Sequence, residues 1–451
     1  MIQCRNRRAA ALAAALSFPV LACEFNPGAA ELSYSLNRPV IEQNQDLARD
    51  AGAQAQLAGA LEMLFGTAAS PRFLAEPEWI EGGFDPNYWG EDLVKNDDAL
   101  RASLEASNRA TFAAQIAAIE AGTFDAVARP RHADDLWGWW EELKAEKSGD
   151  AAGLKSEGIA LFAEYYPSLR ASAALYRNQC YHCHGAEGGG DGSTSAFLEP
   201  RPRDYRPGKF KFTALKGKAR PRHEDLFRIL AEGIYTTAMP SFRRFSDAQL
   251  HGLVDYVRLL AIRGETEILL ASFYEPDEGL NFANVQENYL DVVSKWRAAP
   301  EQLIAFEGPV PESTPERIAH GRALFTTPGD KGGANCVSCH GEGGRGDGPS
   351  VNDPKQSTDD WGRPIAPRDL TRGVYRFGRR PIDLFRRIYA GINGTPMPEH
   401  IGMTITENGQ QRTMTEDDIW DLVFFVRSLA THAPAVAQHG GGHGGDLGGG
   451  H

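Results

Sequence analysis

Apolar residues fall on a helical period at two widely separated places in the chain. Leu250, Leu253, Val254 and Val257 recur at i, i+3, i+4 and i+7, and Ile419, Leu422, Val423 and Val426 repeat that spacing. Such a stripe marks a helix with one face in a core. Both runs have a legible start, because Ser246 with Gln249 and Thr415 with Asp418 can bond reciprocally across the first turn. Ala171 to Gln179 and Pro315 to Phe325 read as two further helices, the second opened by Ser313 or Thr314 with proline at the first helical position. Helical patterns near Asn284 to Arg297 and over the Ala-, Glu- and Leu-rich Ala99 to Ala121 complete an all-α expectation. Glu76 to Asp92, which holds Trp79, Trp89, glycines and prolines, reads as an irregular loop. Trp137, Trp139 and Trp140 read as packed aromatics of a helical core, with a docking face for a membrane partner as the alternative.

Candidate chemistry sits between the helices. Four of the six cysteines form two copies of C-x-x-C-H, Cys180 to His184 and Cys336 to His340. This is the attachment signature of c-type haem: two thiolates form thioether bonds to the porphyrin and the adjacent histidine ligates the iron. A zinc ribbon needs its cysteine pairs about 15 to 20 residues apart, whereas Cys183 and Cys336 are 153 apart, and a redox disulfide has no use for the histidine. The expected cofactors are therefore two covalently bound haems c, on Cys180 and Cys183 and on Cys336 and Cys339.

Each motif opens the same series of elements. After the first come Gly185, Asp191-Gly192, Pro202-Arg203-Asp204-Tyr205, Phe210-Lys211-Phe212, Asp225-Leu226-Phe227-Arg228, and Gly233-Ile234 leading to Met239-Pro240. After the second come Gly341, Asp347-Gly348, Pro367-Arg368-Asp369-Leu370, Tyr375-Arg376-Phe377, Asp383-Leu384-Phe385-Arg386, and Gly391-Ile392 leading to Met397-Pro398. Identical order with variable loop lengths is an internal repeat; the polar segment from Val351 to Ile365 is extra in the second copy.

Each copy resembles a class I cytochrome c domain, as found in dihaem subunits and partners of haem-copper oxidases and related respiratory complexes. The resemblance covers roughly residues 156 to 264 and 311 to 432. It implies two tandem cytochrome c-like domains, and a sixth iron ligand from a methionine well after each motif. Met239 lies 59 residues beyond Cys180 and Met397 lies 61 beyond Cys336, so His184 with Met239 and His340 with Met397 are the expected axial pairs. Met403 and Met414 are the fallback ligands in the second copy. Arginine can grip a carboxylate in a bidentate fork, so Arg203 and Arg368 are candidate partners of the haem propionates, with Tyr205 able to add a hydroxyl bond in the first site. The alternative is that each Pro-Arg-Asp triplet only shapes a surface turn.

The division that follows is a signal peptide over 1–22, a mostly helical docking or assembly segment over 24–155, cytochrome c domain 1 over 156–264, a linker over 265–310, cytochrome c domain 2 over 311–435 and a disordered Gly/His tail over 436–451. Arg5, Arg7 and Arg8 ahead of apolar Ala9 to Leu21 have the shape of a secretory signal, and Val20-Leu21-Ala22-Cys23 resembles a lipobox that would place lipid on Cys23. A periplasmic protein anchored to the inner membrane is expected. Loss of 22 residues removes three arginines and no acids, taking the formal charge from −13 to −16. That excess argues against nucleic acid and favours a basic partner, with plain solubility as the alternative. Histidine and methionine on both irons would leave no position for substrate, so single-electron transfer to or from a membrane respiratory complex is the expected function. The alternatives are a dihaem peroxidase, in which one iron lacks methionine, and a haem subunit that bridges other redox centres.

Overall fold

A computed structural model describes residues 34–69, 71, 142, 145–150, 153, 157, 169–306 and 309–431. The expected signal segment, Cys23, Ala99 to Ala121, the three clustered tryptophans and the Gly/His tail lie outside these residues. The chain divides into two compact units, one holding Asp255–Tyr289 with what precedes Ala196, the other Ala196–Val254 with Leu290 onward. No helix among the described residues is long and apolar enough to cross a membrane.

In the first unit, α1 (Arg38–Gln43), α2 (Gln45–Arg49) and α3 (Ala51–Phe65) follow one another with caps at their junctions. Asn44 accepts from the Asp46 and Leu47 amides, and Asp50 accepts from the Ala53 amide, satisfying donors that a helix start leaves open. Next come α4 (Leu169–Gln179) and the one-turn α5 (Tyr181–His184). The long helix α7 (Asp247–Ser272) contributes its later turns and α8 (Phe282–Arg297) its first ones. The α7 turns carry a buried polar network: Arg263 donates to Glu267 Oε2 at 3.2 Å, the Asn37 amide donates to Glu267 Oε1 at 2.5 Å, and the Arg263 guanidinium lies 4.9 Å from the Tyr34 ring centroid. The segment before α1 also reaches the loop after the first C-x-x-C-H, where the Ser35 amide and hydroxyl both donate to Glu187 Oε1 at 2.7 and 2.9 Å.

The second unit contains α6 (His223–Glu232), α9 (Pro315–Thr326), the one-turn α10 (Val337–His340), α11 (Pro381–Ala390) and α12 (Glu416–Thr431). Thr314 caps α9 through the Arg317 amide at 3.3 Å, and Thr415 donates its amide and hydroxyl to Asp418 at the start of α12. Helices α9 and α12 cross with almost no space between backbones: a Cβ on Gly321 would lie 2.0 Å from the Asp421 carbonyl oxygen. Trp420, Phe385, Phe325, Leu422 and Val423 fill the core around this crossing, with Phe385 stacked on Trp420 at 4.6 Å between centroids. The Ser246–Gln249 box that opens α7 is formed in both directions.

The all-α expectation requires one correction. Strands β1 (Thr404–Glu407) and β2 (Gln410–Thr413) pair antiparallel in the second copy. They turn at Asn408 and Gly409, both with positive φ, which is the two-residue turn that Asn-Gly favours. Arg412 ties the hairpin to α12 by bonding Asp418 at 2.6 and 2.7 Å and Glu407 at 2.7 Å. The expected linker is largely helical, holding the end of α7 and all of α8.

Candidate functional site

The two haem-attachment motifs adopt the same local structure. Each is one helical turn closed by a glycine with positive φ, Gly185 at 77° and Gly341 at 72°. A Cβ on either glycine would come within 2.0 Å of an aspartate oxygen, from Asp191 or Asp347, which explains the recurring Gly and Asp. The Gly190 and Gly346 amides donate to the carbonyls of His184 and His340 at 3.0 and 2.9 Å. The Gly192 and Gly348 amides donate to those of Cys183 and Cys339 at 3.3 and 3.1 Å.

The methionine loops match equally closely. Ile234 and Ile392 donate their amides to the carbonyls of Met239 and Met397 at 3.1 and 3.2 Å. Thr237 and Thr395 return a hydroxyl to the isoleucine carbonyls at 2.7 and 2.8 Å and accept from the methionine amides at 3.1 and 3.3 Å. Gly233 and Gly391 pass so close to Pro240 and Pro398 that a Cβ would sit 2.6 Å from a proline carbonyl carbon. Each loop thereby holds its methionine on a short, cross-bonded turn.

In the second unit these parts converge on a cavity of about 340 Å³ lined by Cys336, Cys339, His340, Arg368 and Met397. Burial lowers the His340 pKa and, before haem attachment, raises that of the Cys336 thiol to about 12. His340 Nδ1 lies 3.4 Å from the Arg368 carbonyl, an acceptor, so Nδ1 carries the proton and Nε2 is left with its lone pair. In the first copy His184 belongs to the first unit and Met239 to the second. Burial likewise pushes His184 down, to about 4.

The family model described as cytochrome c oxidase, cbb3-type, subunit III matches residues 167–257, and that described as cytochrome c matches residues 318–430. The chain is a dihaem cytochrome c. A solved structure from Kuenenia stuttgartiensis, a reducing HAO-like protein complex, is similar at 27% identity over 57% of this chain and 94% of that one, with a TM-score of 0.43. No curated protein matches the chain.

The dihaem cytochrome carries two covalently bound c-type haems, and the second cavity fits one. Its walls are mainly apolar, and the Nε atoms of Arg368 and Arg376, both lining it, are buried without a hydrogen-bond partner. A buried guanidinium with an open donor suits a carboxylate such as a haem propionate. Of the fallback methionines, Met403 lines the same cavity, whereas Met414 is 2% exposed and packs in the hydrophobic core. Arg203 is engaged elsewhere, pairing with Asp359 at 2.5 Å, and Tyr205 stacks on Phe210 at 5.7 Å between centroids.

The sequence reading passed over several residues of the second cavity. Arg387 is one, its guanidinium pushed down to about 10 by burial as it donates to the backbone carbonyls of Asp383, Arg376 and Gly378. His400 is another, 4% exposed, with Nδ1 bonded to the Ile388 carbonyl at 3.2 Å. Lys211 and Phe212 of the first copy also line this cavity. The one available signal was the basic residue at the centre of each aromatic triplet, Lys211 in Phe-Lys-Phe and Arg376 in Tyr-Arg-Phe.

Proposed function

We propose that this chain relays single electrons to or from a membrane respiratory complex, as a periplasmic protein tethered through lipid on Cys23. In this reading His184 and Met239 ligate the first iron, and His340 and Met397 the second. The observation that carries it is the shared construction of the methionine loops, in which the same carbonyl, hydroxyl and glycine contacts hold Met239 and Met397. A bound haem supplies one-electron iron chemistry, with a potential set by ligands and surroundings. The chain's part is to hold the ligands, exclude water and set charge. His340 is poised for this, neutral and oriented through its Nδ1 proton, as metal-ligating histidines require.

Two protein ligands per iron leave no position for peroxide, which favours a carrier over a peroxidase. The formal charge of −16 left after loss of the first 22 residues supports docking to a basic surface. Residues 24–155 are assigned to docking or assembly, and 156–264 and 311–435 to the two haem domains. Near-infrared magnetic circular dichroism of the oxidised holoprotein tests the ligands. Two methionine-ligated low-spin haems are expected; one alone would transfer the assignment to the peroxidase class. Cys23→Ser should move the protein from the membrane fraction to the soluble periplasm, and unchanged partitioning would rule out the lipid tether.

A further inference from the structure

Charge is distributed unevenly beside the second haem cavity. Lys211 of the first copy and Arg368 and Arg376 of the second all line it, and Arg203 lies close enough that its charge disfavours the protonated forms of both Lys211 and Arg376. The carboxylate that Lys211 contacts is Asp359, whose side chain is fully buried, and Glu199 is a second acid close enough to act on Arg203 and Arg376. The shorter bonds of Asp359 go to other groups. Oδ1 accepts from the amides of Trp361 and Arg363 at 3.1 and 3.0 Å, and Oδ2 takes Arg203 at 2.5 Å. Lys211 is left with a longer contact of 3.4 Å to the same Oδ2, and its ammonium lies 5.5 Å from the Trp361 ring centroid. The side chain is 8% exposed. A buried ammonium held this loosely needs a further anion.

We propose that Lys211, a residue of the first copy, binds a propionate of the haem attached to Cys336 and Cys339, so that the first copy sets part of the second haem's potential. Asp359 and Trp361, both from the extra segment of the second copy, position Lys211 for this role. Asp359 anchors Arg203, and Trp361 offers its ring face to Arg203 and Lys211 while its Nε1 donates to the Asp204 carbonyl at 2.7 Å. The extra segment therefore reads as a clasp that holds a first-copy cation at a second-copy cofactor. The inference rests on the second cavity as a haem seat and does not depend on which residue is the sixth ligand.

A cation beside the propionate favours the reduced haem, so its removal should lower that haem's midpoint potential. The test is optically monitored potentiometric titration of the holoprotein carrying Lys211→Met, Lys211→Gln or Lys211→Arg, with the double variant Cys336→Ala/Cys339→Ala, which cannot attach the second haem, marking which midpoint belongs to it. Met and Gln should each shift the second haem's one-electron equilibrium toward oxidation by about tenfold, or about 59 mV, and leave the first haem's unchanged. Arg should restore it. An unshifted second midpoint in folded Met or Gln variants would overturn the proposal, as would equal shifts in all three, which would indicate lost packing rather than lost charge. Magnetic circular dichroism of the same samples reports methionine ligation separately, so failure of the carrier reading is distinguishable from failure of this one.

Discussion

Asp383 joins the two copies at one buried carboxylate, and neutralising it should cost much of the second unit's stability. The side chain is 2% exposed. Arg228 of the first copy grips it at 2.7 and 3.1 Å, and Arg380 of its own copy at 2.9 Å through two nitrogens. The Arg380 amide adds a bond at 3.3 Å. Although burial opposes ionisation, these bonds to Arg380 and Arg228 hold the carboxyl down at about 2, against 3.8 unperturbed. A depressed folded-state pKa contributes stability that is fully present above the unfolded value and lost as pH falls through the folded one. Asp383 should therefore stabilise the protein above pH 4 and cease to do so near pH 2. At 1.36 kcal/mol per unit the shift corresponds to about 2 to 3 kcal/mol. Asp383→Asn keeps the shape, removes the charge and leaves two guanidiniums short of acceptors, so a loss of about 3 kcal/mol is expected. For a unit of this size that lowers Tm by roughly 6–12 °C. The assay is urea unfolding of the holoprotein at pH 7 and pH 3, repeated with Arg228→Met and the double variant. A loss under about 1 kcal/mol, or an Arg228–Asp383 coupling near zero, would refute the reasoning.

Two further perturbations probe the frame around the sites. Gly321→Val should destabilise the second unit by about 3 kcal/mol in urea titrations, because the added carbons meet the Asp421 carbonyl where α9 and α12 cross. Glu267→Gln removes the charge that holds Arg263 and the Asn37 amide, so limited proteolysis should cleave around residues 34–50 at least several-fold faster while the haem spectrum stays unchanged. Equal cleavage rates would show that the segment before α1 is held by other contacts.

Features governed by local spacing were legible before any coordinates. The attachment motifs and the capping boxes at Ser246 and Thr415 each depend on residues a few positions apart, so the sequence displays them directly. The hairpin was missed although Thr404 to Thr413 carries an Asn-Gly turn between β-branched residues. Buried charges were illegible for a physical reason. Arg263 and Glu267, or Arg228 and Asp383, look like solvated helix faces, because what buries them comes from far along the chain. The continuation of α7 to Ser272 was obscured in the same way, since Arg263, Glu265 and Glu267 interrupt the apolar stripe yet are all buried.

Equivalent residues of the two copies meet within the second unit, and the ways in which they differ bear on function. Phe212 stacks on Phe377 at 5.7 Å, and these are the last residues of the two aromatic triplets. Arg228 of the first Asp-Leu-Phe-Arg helix reaches Asp383 of the second, and a symmetric pair would have Arg386 gripping Asp225 in return. Instead Arg386 donates to the Ile304 carbonyl at 3.1 Å, while Asp225 is held by Arg222. The chain around Leu303 breaks the symmetry: Leu215 pairs with Leu303, and the Ile304 amide donates to the Ala214 carbonyl at 2.9 Å. The extra segment bearing Asp359 and Trp361 breaks it again, because it engages Arg203 and Lys211 of the first copy. The ligand loops are built alike, so identical axial pairs would by themselves place the two irons near one potential. Any difference that gives electron flow a direction must then come from surroundings that are not duplicated, among them this strand pairing, the Asp359 clasp and the β1–β2 hairpin.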